Sequence, residues 1–184
     1  MSEAIYVAGP HCGGPVCFCI SGVSMNNDRQ DISLQIAALL DRHHVMSLAT
    51  VCLDGPQAAN LFYARDGLAL LWVSELSSRH SVAVESDARV AATIAMDYSD
   101  FPEIQGLQIS GRAFRVIEEL PRQNARRCLE ARYPFLHTAA NAPEELRTAY
   151  EHAQFYRLEP ARITIIDNTR GLGFKQTLDF PSSG

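Results

Sequence analysis

The chain has 184 residues, 47% of them apolar and 20% charged, which is the balance of a globular domain and excludes collagen-like, coiled-coil and disordered classes. Its net charge of −5 argues against general nucleic-acid binding, which needs a basic face. The longest apolar run, residues 68–73, falls far short of the about 20 residues of a membrane-spanning helix, so no membrane partner is expected.

Residues 1–27 contain one charged side chain, Glu3, among several glycines and prolines. No basic residue precedes the short apolar stretch 16–23, so it does not read as a secretory signal. We expect a flexible arm over 1–27 and one folded domain over 28–184, with Met25 as an alternative start. Five cysteines without a signal peptide predict reduced thiols and a cytoplasmic location. Cys12, Cys17 and Cys19 lie near His11, but their spacing lacks the paired knuckles of a zinc site, so no metal is expected.

From residue 28 the pattern becomes regular. Asp28 or Asp31 caps a helix whose apolar positions Ile32, Ile36, Leu39 and Leu40 share one face, ending near His43. Residues 45–52 alternate as a strand, Asp54-Gly55 marks a hairpin, and 57–64 is the return strand. After Asp66-Gly67, residues 68–74 form a strand apolar on both faces and hence buried. Ser77-Ser78-Arg79-His80 opens a short helix to about residue 86. Strands follow at 90–96 and 105–117, the second holding Gly106 and Gly111, where an interior glycine predicts a bulge or a close backbone approach. Pro121 and Pro143 each open a helix, to about 133 and 152. The last strand is 156–166, and a turn over 167–175 leads into a polar tail. Six strands mostly in hairpin order predict a mainly β fold, a six-stranded antiparallel barrel with flanking α-helices.

The sharpest chemistry lies in Val73-Ser74-Glu75-Leu76-Ser77-Ser78-Arg79-His80, where a buried strand gives way to a helix start. Unpaired N–H groups, hydroxyls and a guanidinium suit a phosphate. The plainer reading is a serine N-cap with a solvated Arg79. No Gly-x-Gly-x-x-Gly loop and no Gly-x-Ser-x-Gly elbow is present. Tyr63, Trp72 and Tyr98 suit stacking on a ring system, although strand aromatics usually form core.

The order of elements over about residues 28–175 resembles the flavin-binding split-barrel family that includes pyridoxamine 5′-phosphate oxidase. Ala58-Ala59-Asn60-Leu61-Phe62-Tyr63 is similar to the strand that lies along the flavin ring. Val73-Ser74 through Ser78-Arg79-His80 is similar to the segment that holds the flavin phosphate. Gly111-Arg112-Ala113 is a shorter echo, and residues 167–175 resemble a signature of a poorly characterised bacterial branch related to the YhbP group. The resemblance implies a split β-barrel, flavin mononucleotide (FMN) as cofactor, and a homodimer with the cofactor between subunits. It implies Asn60, Leu61, Phe62, Tyr63, Val73, Ser74, Ser78, Arg79, His80 and Gln108 as cofactor-binding residues, with Gln105 an equal candidate for the ring edge. On this reading Arg79→Ala costs about 1.5–3 kcal/mol of cofactor binding, the range for a hydrogen bond to a charged group.

The departures fall on the substrate side. Tyr63 stands where the oxidase has a lysine, Cys128 where it has a tyrosine, and the C-terminal Arg-x-His motif is absent, although Arg132 matches the substrate-contacting arginine. The implied function is therefore an FMN-dependent oxidoreductase acting on an unidentified small molecule. The flavin carries the hydride chemistry, so no catalytic acid or base is expected of the chain. The alternatives are a flavin or haem storage module without turnover, and a structural dimer whose site has decayed.

Overall fold

A computed structural model describes residues 23–136 and 143–181. A turn at Leu53-Asp54 joins β1 (Val45–Cys52) to β2 (Gly55–Phe62) in an antiparallel hairpin running from Val45↔Phe62 to Cys52↔Gly55. Gly55 takes the positive φ, 116°, that such a turn favours in glycine. The remaining strands are β3 (Ala64–Asp66), β4 (Ala69–Ser74), β5 (Arg89–Ala95), β6 (Gln105–Arg115), β7 (Gln154–Asp167) and β8 (Lys175–Asp179). The helices are α1 (Val23–Arg42), α2 (Arg79–Ser86), α3 (Glu119–Arg132) and α4 (Glu144–His152).

The strands run β2-β1-β5-β6-β7-β4-β3, all pairs antiparallel, with β8 also on β7. β2 and β3 end this path on opposite sides, yet only Tyr63 separates them in sequence. The sheet therefore curls until its two ends meet at that residue. Tyr63 is fully buried, its N–H donates to the His44 carbonyl at 3.2 Å, and its hydroxyl donates to the Leu40 carbonyl at 2.8 Å. β7 splits the other side: its first half pairs with β4 and its second half with β8 along the same edge. Between them the β6–β7 register slips at Ser110/Gly111, where a Cβ on Gly111 would stand 2.2 Å from the Glu159 carbonyl oxygen. The interior glycine thus marks the close backbone approach that the sequence implied.

Two cores sit on either side of β4. Leu70 and Trp72 point into the barrel with Ile36 and Leu40 of α1 and Met46, Leu48 and Ile163 of the sheet. Leu71 packs outward with Phe155, Leu129, Tyr133 and Tyr150 under α3 and α4. Double-sided burial is why the strand reads as an unbroken apolar run.

The structure differs from the sequence reading in three places. Among the described residues there are eight strands where six were expected: the stretch 57–64 breaks at Tyr63 into β2 and β3, and the tail supplies β8, whose Leu178 is buried against Ile163. α1 begins at Val23, so Asp28 and Asp31 lie within it and cap nothing. Pro121 occupies the third position of α3. Residues 1–22, with Cys12, Cys17, Cys19 and His11, lie outside the described residues. Among the described residues no helix is long and apolar enough to cross a membrane.

The outer face of β1, β2 and β5 is nearly free of charge. Its outward positions are Val45, Ser47, Ala49 and Val51; Pro56, Ala58, Asn60 and Phe62; and Arg89, Ala91, Thr93 and Ala95. Arg89 is the single charged residue among these twelve, and Phe62 is 61% exposed.

Candidate functional site

β4 leaves the core at Val73 and Ser74, where its burial becomes partial. Ser78, in extended backbone, then N-caps α2 by accepting the Ser81 N–H. Ser74 Oγ lies 2.9 Å from Ser78 Oγ and 2.7 Å from His80 Nε2. Ser78 Oγ is 3.2 Å from the same imidazole nitrogen and donates to Ser81 Oγ at 2.8 Å. Three hydroxyls and one imidazole thus form a partly buried knot at the helix start. Burial pushes His80 below the usual imidazole range, so its ring is neutral at pH 7.

Arg79 does not join this knot. Its guanidinium donates to the Asp54 carboxylate at 3.0 Å, with both side chains about two-thirds exposed.

A cleft of about 320 Å³ opens beside the knot. Asn60, Leu61 and Phe62 of β2 form one side, Val73, Ser74 and Glu75 another, and α3, α4 and the turn between them supply Leu129, Tyr133, Phe135, Leu136, Tyr150 and Ala153. Tyr133 stands edge-on to Phe62 at 5.5 Å and is fixed by its hydroxyl, which donates to the Tyr63 carbonyl at 2.8 Å. Seven of the ten residues assigned to the cofactor lie on β2, β4 and α2, Ser78 caps α2 and Tyr63 follows β2, and five of the ten line this cleft. Tyr63 does not line it: its ring is core, and its backbone lies between β2 and β3.

Gln108 sits one sheet-width away. The register places Asn60, Ser47, Thr93 and Gln108 in a single outward row across β2, β1, β5 and β6. Ser47 donates to the Asn60 amide oxygen at 2.7 Å, whereas the Gln108 side chain makes no hydrogen bond to a described residue. Gln105 is already engaged, accepting from Arg42 and donating to Asp167, both at 3.0 Å.

Arg132, which matched a substrate-contacting arginine, is turned to the fold. It donates to the carbonyls of Leu40 (3.0 Å), Asp41 (3.2 Å) and His43, and lies over the Tyr63 ring at 5.2 Å. These are the orphan carbonyls at the end of α1, where a cation is favoured. The α3 and α4 wall was missed from sequence. The spacing of Ala125, Leu129 and Tyr133 gave one readable signal, and Tyr150 gave none. Among the described residues no cluster of metal-ligating side chains occurs.

No protein-family model matches the chain. A UPF0306 protein of Photorhabdus laumondii is 31% identical over 139 residues, covering 74% of this chain and 87% of the relative. The chain belongs to the UPF0306 family. Solved structures similar to this UPF0306 chain share its architecture. A Listeria innocua protein provisionally assigned as a pyridoxamine 5′-phosphate oxidase superposes with TM-score 0.57 at 20% identity, over 74% of this chain and 98% of its own. A heme binding protein from Mycobacterium smegmatis gives 0.62 at 18%, over 82% and 57%. A FAD-binding protein from Mesorhizobium loti gives 0.55 at 17%, over 71% and 90%. At these identities the likeness establishes the fold, the split barrel of pyridoxamine 5′-phosphate oxidase-like proteins.

Proposed function

We propose that this UPF0306 protein is a cytoplasmic, homodimeric oxidoreductase that binds FMN and acts on a small molecule. The observation that carries the reading is the convergence of Ser74, Ser78, Ser81 and His80 at the start of α2. Their hydrogen bonds run largely among themselves, so their protons can turn toward an incoming anion. The first N–H groups of α2 have no helical acceptor and add to the same field. Phosphate binding favours protonation of His80, which burial otherwise keeps neutral. Arg79 reaches the phosphate only by leaving Asp54, and an exposed pair of this kind is worth only about 0–1 kcal/mol.

The flavin ring lies along Asn60–Phe62, with Gln108 at the polar row that leads away from Asn60. When bound, FMN supplies the hydride chemistry; the chain binds, orients and shields it. The charge-poor outer face of β1, β2 and β5 supports the dimer, since exposed apolar surface depleted of charge marks an interface.

Titration with FMN, read by flavin fluorescence, tests the reading. Saturable binding is expected, weakened about tenfold or more when Ser78→Ala and His80→Ala are combined. Unchanged affinity in that double variant refutes the assigned phosphate site. Anaerobic reduction of the bound flavin by nicotinamide nucleotides separates an oxidoreductase from a storage module, in which no donor changes the redox state.

A further inference from the structure

The mouth of the barrel under the end of α1 carries polar groups that the flavin reading leaves unused. Along β6, Gln105 belongs to the inward set with Leu107 and Ile109; along β7, Asp167 follows Ile163 and Ile165 on the same side. The register sets Gln105 opposite Asp167. Both residues therefore lie on the other face of the sheet from the outward row that contains Asn60 and Gln108. A groove of about 160 Å³ lies there between α1 and the sheet. Buried Leu39 and Ile165 give it an apolar lining, and Gln35, Arg42, Gln105 and Asp167 a polar one.

Three of these side chains are linked with a definite polarity. Arg42 donates through Nη1 to the Gln105 amide oxygen, and the Gln105 amide nitrogen donates to Asp167 Oδ1, both at 3.0 Å. Asp167 Oδ1 also accepts from the Thr169 N–H at 3.2 Å and from the Thr169 hydroxyl at 2.6 Å. Asp167 Oδ2 and Arg42 Nη2 and Nε make no hydrogen bond to a described residue. Neither charge has an opposite charge within 4.0 Å among the described residues. Partial burial raises the Asp167 carboxyl, but the hydrogen bonds from Thr169 and Gln105 outweigh it and hold the group below the usual carboxylate range. A full cation and a full anion thus line one groove, joined only through a neutral amide.

That amide shows what fits. It turns an acceptor oxygen to Arg42 and a donor nitrogen to Asp167. An α-amino acid offers the same polarity over a similar span, with full charges that strengthen both bonds. A carboxylate alone meets Asp167 and an amine alone meets Arg42, each as a like charge, whereas a zwitterion satisfies both. The groove has about half the volume of roughly 300 Å³ at which drug-sized sites begin, so the ligand is small.

We propose that this groove binds a free α-amino acid with a small apolar side chain, its carboxylate on Arg42, its ammonium on Asp167 Oδ2 and its hydrocarbon against Leu39 and Ile165. The site is independent of the flavin reading and stands or falls without it.

Titration of the full, isotope-labelled chain with L-valine, isovalerate and isobutylamine, followed by nuclear magnetic resonance, is the test. The three compounds share one hydrocarbon and differ in charge. L-Valine is expected to saturate in the millimolar range and to shift the Gln105 side-chain amide and the Thr169 N–H, and each single-charge analogue to bind about fivefold more weakly. Arg42→Gln should abolish the advantage of valine over isobutylamine alone, and Asp167→Asn its advantage over isovalerate alone. Arg42 is exposed in the last turn of α1, so Arg42→Gln decides the matter even if Asp167→Asn disturbs the Thr169 turn. No saturation, equal affinity for the three compounds, shifts that miss Gln105 and Thr169, or a valine advantage over isobutylamine that survives Arg42→Gln each overturns the proposal.

Discussion

The seam at Tyr63 and the start of α2 treat their polar groups in opposite ways. At the seam three side chains are bonded to partners elsewhere in the fold: the Tyr63 hydroxyl to Leu40, the Tyr133 hydroxyl to Tyr63, and Arg132 to three carbonyls at the end of α1. At α2, Ser74, Ser78, Ser81 and His80 are bonded chiefly to one another. Groups that close the barrel are committed, whereas groups of the second kind can exchange partners when a ligand arrives. Arg132 illustrates the lesson: a residue matched to a substrate contact is bonded to the fold as the clasp of the barrel.

Arg132→Ala should produce the largest effect and break the comparison if it fails. It leaves three carbonyls at the α1 end without their cation, and about 2–4 kcal/mol of stability should disappear in urea unfolding. A loss under about 0.5 kcal/mol, the range of an ordinary surface change, means that the seam does not depend on it. Phe62→Glu sharpens the other side. A carboxylate on the apolar outer face should weaken self-association about a hundredfold, ~3 kcal/mol, seen by light scattering as a shift to monomer with the secondary structure retained. An unchanged dimer places the interface elsewhere.

Arg79→Ala should have the smallest effect. Because the guanidinium is exposed and paired with Asp54, its loss should weaken FMN by no more than about fivefold, ~1 kcal/mol, below the 1.5–3 kcal/mol that the sequence alone suggested. The pH dependence belongs to His80 instead. Its folded-state pKa is lowered, so an anion that restores the charge takes up a proton. FMN affinity should therefore rise as pH falls from about 8 toward the unperturbed imidazole value near 6.5, and His80→Asn should flatten that slope.

Local signals carried much of the fold. The Asp54-Gly55 turn, the doubly buried β4, the glycine at the β6–β7 slip and the serine cap of α2 are each set by a few neighbouring residues. β3 and β8 escaped because one is three residues long and the other hides only Leu178 among polar neighbours. The direction of Arg79 escaped because its partner lies 25 residues away, and the clasp of Arg132 because its carbonyls lie about 90 residues away. The site was legible where it follows the chain along β2 and from β4 into α2. The α3–α4 wall was not, because only tertiary packing brings Tyr133 and Tyr150 against Phe62.

Parallel titrations with FMN and with riboflavin, which lacks the phosphate, test the central claim most directly. The account predicts that FMN binds at least about thirtyfold tighter, ~2 kcal/mol, and that the advantage vanishes when Ser74, Ser78 and His80 are all replaced by alanine. Equal affinity for the two flavins, or an FMN advantage that survives the triple replacement, contradicts it.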